Sequence, residues 1–416
     1  MSGLKELLKK GLGDMAFNAG GGAITWFPGH MAAATRAIRH RLKLSDLVIE
    51  VRDARIPLSS ANADLQPHLS AKRRVVALNK KDLANPNIMH KWRHYFETCK
   101  QDCIPINAHS KSSVTKLLEL VEFKLKEVIC REPTLLVMVV GVPNVGKSAL
   151  INSIHQIAQS RFPVQEKMKR AAVGPLPGVT QDIAGFKVRL TNINMNINRT
   201  AILLILLLFV GSKAQFYARN NSASILFHIA HKPSIYVLDS PGVLVPSISD
   251  IETGLKLALA GSVKDSVVGE ERIAQYLLAV LDTRGTPLHW KHLNNRRIDG
   301  IEYEPEENHE YSLKNLKPKR RNLPNRSDLV YVEDLLMGVQ HALYSTLTEF
   351  DGNVEDESDL ESLIDLQFSA LQKAMKIPHK ASEARLMVSK KLLTLFRTGK
   401  LGPFILDDVP DVKPVS

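Results

Sequence analysis

Two short polar stretches stand in an unusual order, and that order restricts the fold. NKKD, residues 79 to 82, ends the hydrophobic run RRVVALN; GVPNVGKS, residues 141 to 148, follows TLLVMVV. The first has the form Asn-Lys-x-Asp, which reads a guanine base. The second matches GxxxxGK[ST], a loop whose backbone N–H groups cradle phosphates. The base-reading element normally follows the phosphate loop, but here it comes about sixty residues earlier.

A closed α/β domain can join its old termini and open at another surface loop without changing its pocket. The surrounding pattern fits that explanation. Apolar runs at 46 to 51, at RRVVALN, at DCIPINA and at TLLVMVVG alternate with segments of helical character at 32 to 44, 87 to 98 and 113 to 129. Polar motifs stand at the strand ends, so the sites belong at the carboxyl edge of an α/β sheet. Beyond PSIYVLDSPG the rhythm changes to amphipathic helices at 251 to 265, 270 to 282 and 328 to 345, with a last helical region at 360 to 398. The expected architecture is α/β: a circularly permuted Ras-like P-loop GTPase domain over 25–248, followed by an all-helical domain over 249–345. Residues 1–24 form an N-terminal segment, and 346–416 an acidic linker with a helical tail.

Chemistry follows from residue types. Gly141 and Gly146 permit the wrap of the loop, Val145 lies within it, Lys147 reaches the β and γ phosphates, and the Ser148 hydroxyl ligates magnesium. Thr180 in GPLPGVTQD is a candidate to complete the magnesium shell from a mobile loop. Asp239 in YVLDSPG is placed to hold a metal-bound water, and the Gly242 N–H to sense the terminal phosphate. At the base, Asp82 accepts from guanine N1–H and the exocyclic amine, a pairing adenine cannot satisfy. Asn79 braces the base loop, the Lys80 stem packs along the ring, and Asn107-Ala108 in INAHS offers a backbone N–H to the guanine O6.

Joint order makes the resemblance specific. TWFPGHM, DARIPLSS, NKKD, GVPNVGKS, GPLPGVT and DSPGV, spread over 25 to 243, resemble the YlqF-type family of ribosome-assembly GTPases, particularly its mitochondrial GTPase 1 branch. The resemblance implies GTP and Mg2+ as cofactors and hydrolysis of GTP to GDP and phosphate. It also implies the precursor of the large ribosomal subunit and its rRNA as partners, in the mitochondrion, in the matrix or on the matrix face of the inner membrane. The usual water-orienting glutamine after DxxG is replaced by Val243, and the family's substitute corresponds to His30. Asn144 matches relatives that place K+ beside the phosphates. The DAR signature falls on Asp53, Ala54 and Arg55, where a salt-linked strand-end turn is one reading.

The formal charge of +12 and pI near 9.4 favour a polyanionic partner. Lys314, Lys317, Lys319, Arg320, Arg321 and Arg326 form the clearest basic cluster and are candidates for rRNA phosphate contact. Aromatics make up 6% of the chain, so no stacking platform for single-stranded bases is advertised. Cys99, Cys103 and Cys130 have no zinc spacing, which fits a reducing compartment. The N-terminal stretch alternates Lys5, Lys9 and Lys10 with leucines, as a basic amphipathic targeting helix would, although Glu6 and Asp14 weaken that pattern.

Residues 188–228 interrupt the motif order. Their apolar core, AILLILLLFVG, is too short to span a bilayer, which needs about twenty residues. A translated intron is the favoured explanation, since Val-Arg can be encoded across a splice donor and Ile, Leu, Phe and Asn permit AT-rich codons. A true insertion and a membrane attachment are the alternatives. Three functions stay open: an assembly GTPase, a regulatory GTPase with peripheral inner-membrane association and no transmembrane helix, and a nucleotide-stabilised RNA-binding scaffold.

Overall fold

The computed structural model describes residues 12, 15, 22–129, 134–161, 185–188, 234–284, 287, 290, 326–378 and 383–411. It divides into two units: an α/β unit of Phe27–Val245 with Asp407–Ser416, and a helical unit of Met1–Trp26 with Pro246–Leu406.

The elements of the α/β unit, in chain order, begin with α1 (Gly29–Leu44), β1 (Leu47–Asp53), α2 (Gln66–Ser70), β2 (Arg74–Asn79) and α3 (Pro86–Thr98). Then come β3 (Asp102–Pro105), α4 (Lys111–Ile129), β4 (Thr134–Val140), α5 (Lys147–Arg161), β5 (Gly185–Val188) and β6 (Ser234–Leu238). They build a sheet of order β3-β2-β1-β4-β6-β5, in which all pairs are parallel except the outer β5–β6 pair. Spatial order thus differs from chain order. Along the carboxyl edge the motifs read INA, NKKD, DAR, GVPNVGKS and DSPG, from β3 to β6. One strand separates β2 from β4, so base-reading and phosphate elements stand about 10 Å apart at the sheet.

The intervening strand, β1, is buried along its whole length although it contains Glu50, Arg52 and Asp53. Burial of charge is tolerated because each is paired. Glu50 accepts from Arg52 Nε at 2.9 Å, Arg74 at 3.1 Å and Gln66 Nε2 at 2.9 Å, and Arg52 also lies over the Phe96 ring. In α4 the stripe Val114, Leu117, Leu118, Val121 and Leu125 has the i, i+3, i+4 spacing that seats a helix on a sheet, and all five are buried. The returning segment at 407–411 is pinned here too. Asp407 accepts the N–H groups of Leu58 and Ser59 at 2.8 and 2.9 Å and the Ser59 hydroxyl at 2.6 Å.

The helical unit contains α6 (Ile251–Leu259), α7 (Asp265–Val268), α8 (Glu270–Thr283), α9 (Arg326–Thr348), α10 (Glu357–Ala374) and α11 (Ala384–Arg397). Asp250 caps α6 by accepting from the N–H groups of Glu252 and Thr253, and Asp356 caps α10 in the same way. From Ile273 to Asp282, α8 is buried on almost every side, as suits the central helix of a bundle. Arg397 binds both oxygens of Asp265 and the carbonyls of Ala258 and Leu259, tying the end of α11 to the end of α6. The expected linker and separate tail at 346–416 therefore give way: α10 and α11 are members of this bundle. The last helical region is also two helices, with Pro378 between them. Residues 189–228, most of the interruption, lie outside the described residues.

One buried pair makes the bundle sensitive to pH. Asp282 Oδ1 accepts from Gln367 Nε2 at 2.8 Å, while Asp282 Oδ2 and Gln367 Oε1 are both buried without a hydrogen-bond partner among the described residues. A proton on Oδ2 supplies the missing donor. Burial pushes the Asp282 carboxyl up to about 7, against the lowering effect of the Gln367 hydrogen bond. The folded state therefore binds this proton more tightly than the unfolded chain. Its contribution is most favourable below about pH 4, declines as pH rises to about 7, and stays at its low value above. Asn at this position offers a permanent donor. Thermal melts should show Asp282→Asn more stable than the parent at pH 8, on the order of 3 kcal/mol, with the gap closing toward pH 4; a parent more stable at pH 8 would contradict the reading.

Candidate nucleotide site

The end of β2 is the hub of the site. Asn79 is buried, and its Nδ2 donates to the Val145 carbonyl in the phosphate loop at 2.8 Å. Its Oδ1 accepts the Ala108 N–H at 2.9 Å. One amide side chain thereby joins three loops from three strands. The Ala108 N–H, expected to serve guanine O6, is already engaged by Asn79, so a base contact there has to share it. Asn107 makes a local turn: its Oδ1 accepts from His109 N–H, and its own N–H donates to Ser113 Oγ.

Lys80 has a left-handed backbone, φ 63°, and its Nζ bonds Asp53 Oδ2 at 2.9 Å. Asp53 also receives Arg55 Nε at 3.0 Å and Nη2 at 2.8 Å, a two-point clamp within the DAR signature. Burial alone would raise the Asp53 carboxyl. The charges and hydrogen bonds of Arg55 and Lys80 outweigh it and hold the group well below the usual carboxylate range. The Lys80 ammonium is thus anchored at its tip, leaving its stem to lie between anchor and backbone. Asp82 is exposed on the short 3-10 turn Lys81–Leu83, reachable by a base.

Phosphate-loop geometry follows from two glycines. Gly146 has φ +94°, and a Cβ there would come 2.3 Å from Asn79 Nδ2. At Gly242 a Cβ would stand 2.5 Å from Pro143 Cα and 3.1 Å from Lys147 Nζ, so the DxxG turn lies directly against the loop. Asn144 is left-handed at φ 57°. Gly141 and the buried Val145 complete the wrap. Lys147 folds back to donate to the Gly141 and Val142 carbonyls at 3.1 and 2.8 Å. Burial lowers its ammonium to about 8, against the opposing charge of Asp239.

Ser148 Oγ donates to Asp239 Oδ2 at 3.1 Å. Asp239 Oδ1 is buried and has no hydrogen-bond partner among the described residues. Burial raises the Asp239 carboxyl, opposed by Lys147 and by the Ser148 and Ser240 hydrogen bonds. A hydroxyl beside a carboxylate with one oxygen unsatisfied is a donor set that fits a magnesium ion and its water. Val243 is fully buried, with its carbonyl held by Asn62 Nδ2 at 2.8 Å, so its side chain has no access to an attacking water. His30 is exposed on the first turn of α1. Thr180 lies outside the described residues, as do Lys314, Lys317, Lys319, Arg320 and Arg321. Arg326 begins α9, with its side chain undescribed.

The Asp53–Lys80 anchor, the Asn62 hold and the Asp407 cap were missed at the level of sequence. The DAR triplet was the available signal for the first.

Residues 136–314 match a family model described as 50S ribosome-binding GTPase. A protein of Arabidopsis thaliana described as Short integuments 2, mitochondrial, is 66% identical over 99% of this chain and 96% of its own length. Another Arabidopsis protein, DAR GTPase 2, mitochondrial, is 35% identical over 92% of this chain and 90% of that one. The chain belongs to the YlqF-type family of circularly permuted GTPases. Mouse Mitochondrial ribosome-associated GTPase 1 is 35% identical, over 62% of this chain and 67% of that protein. The GTPase is accordingly a GTP hydrolase, and its relatives place it among mitochondrial proteins.

The hub yields a direct test. Gly146→Ala should force Asn79 off Val145 and weaken GDP binding by about tenfold or more by calorimetry, from loss of a buried hydrogen bond and backbone strain. The circular dichroism spectrum should stay that of the parent. Unchanged affinity would show that the interlock does not shape the pocket.

Proposed function

We propose that this GTPase binds the precursor of the mitochondrial large ribosomal subunit in its GTP form and hydrolyses GTP late in assembly to leave. The observation that supports it most strongly is the Asn79 hub, which couples base reading to the phosphate loop in a chain whose family model is described as a 50S ribosome-binding GTPase. We place the protein in the matrix or on the matrix face of the inner membrane. No helix among the described residues is long and apolar enough to cross a membrane.

In this reading Asp82 selects guanine, Asn79 and Ala108 brace its far edge, and the Lys80 stem lies along the ring. Lys147 neutralises the β and γ phosphates, helped by the amino end of α5. Ser148, Thr180 and Asp239 would hold magnesium, which when bound offsets phosphate charge. The Gly242 N–H reports the terminal phosphate to the DxxG turn, and Asn144 is a candidate neighbour for K+. With Val243 buried, water positioning falls to His30, whose exposure lets a bound particle press it toward the phosphates. The basic run from Lys314 through Lys317, Lys319, Arg320, Arg321 and Arg326 would contact rRNA phosphates.

The test is GTP turnover with and without precursor large-subunit particles, in the parent and in His30→Ala. Particles should stimulate the parent by about a hundredfold, the scale of a positioned catalytic group. The variant should lose the stimulation and keep its GDP affinity. Full stimulation in the variant would remove His30 from the mechanism, and no stimulation of the parent would remove the assembly role.

A further inference from the structure

The edge of the GTPase unit away from the nucleotide carries a second feature. There, where β2 and β3 begin, the chain forms a concave basin of about 650 Å³. Apart from Arg74, which is neutralised by buried Glu50, its lining includes five cations, Lys72, Arg73, Lys100, Lys124 and Lys126, against two carboxylates, Asp102 and Glu127. The carboxylates do not cancel this charge. Lys124 pairs with Asp102 at 2.7 Å, and Arg73 meets Glu127 only at 3.5 Å with both ends well exposed. Lys72 Nζ donates to the carbonyls of Lys43 and Ser45 at 2.8 and 3.1 Å, which orients the ammonium and leaves its charge intact. Lys100 is exposed on a left-handed turn at φ 55°.

An aromatic ring stands among these cations. Phe123 is 68% exposed on α4. It lies off the Val114–Leu125 stripe that seats the helix, two residues past Val121 and so on the opposite side, where packing gives it no role. A solvent-exposed ring beside several ammonium groups is the combination that grips single-stranded nucleic acid: the ring stacks a base and the cations hold its phosphates. The basin is large enough for a nucleotide.

We infer that this basin is an RNA-binding site, with Phe123 stacking an unpaired base and Lys72, Lys100 and Lys126 contacting the flanking phosphates. It rests on the assembly reading for the source of the RNA, but its chemistry stands on these residues alone. Because it lies at the amino edge of the sheet, RNA here leaves the carboxyl edge open to nucleotide.

A labelled single-stranded RNA 12-mer, followed by fluorescence anisotropy from 50 to 200 mM KCl, tests it on the full chain. Phe123→Ala should weaken binding about tenfold with little change in salt dependence, the signature of a lost stack. Lys72→Gln with Lys100→Gln should weaken it by a similar factor and flatten the log–log salt slope by about 1.4, two single-strand phosphates' worth. GDP affinity, the fold control, should be unchanged in both. Parent-like RNA affinity in both variants overturns the site, as does a parent that binds phosphatidylserine vesicles but no RNA. Particle-stimulated GTP turnover separates the two proposals. A parent that binds RNA as described yet shows no stimulation leaves the basin standing and removes the assembly role. Normal stimulation with unaffected RNA binding does the reverse.

Discussion

One buried amide holds the pocket together. Asn79 donates to the phosphate loop at Val145 and accepts from Ala108. Those partners come from β4 and β3, so the bond is made only after three parallel strands are in register. A buried amide left with either end unsatisfied is costly, so the two bonds form together or not at all. This coupling explains why chain order is free to change. The pocket needs the strands side by side, and it is indifferent to which of them is synthesised first.

The strand between them is where the chain takes its largest electrostatic risk. Glu50, Arg52 and Asp53 lie buried in β1, and each would be destabilising alone. Glu50 is answered by Arg52, Arg74 and Gln66, and Asp53 by Arg55 and Lys80. The second set reaches the NKKD motif, because Lys80 belongs to it. The DAR triplet is therefore both a strand-end salt link and an anchor for Lys80. The loop that follows is fixed at both ends, by Asp407 at Leu58 and Ser59 and by Asn62 at Val243.

Much of this was legible in the sequence, for a local reason. Strand runs ending in polar motifs, and the loop-then-helix at Lys147, are signals a few residues long. The permuted order needed only their sequence positions. What stayed hidden depends on distant partners. Asp407 meets Ser59 from 348 residues away, and Asn62 meets Val243 from 181 away. No periodicity announces either. Lys80 was read toward the base, and its ammonium was found on Asp53. Phe123 was overlooked because low aromatic content says nothing of where one ring points. The acidic stretch before α10 read as a linker, yet Asp356 in it is a helix cap and the helices beyond it join the bundle.

The central claim is that Asp82 and the Asn79-braced loops form one guanine-selective pocket with Lys147 and Ser148. Isothermal titration of well-folded protein with GDP and ADP, beside Asp82→Ala, measures it most directly. The account predicts GDP binding at least about a thousandfold tighter than ADP, as expected when a buried or pocket-held polar group loses its partners, and a variant that loses most of that preference. Equal affinity for the two nucleotides, or a variant as selective as the parent, would contradict it.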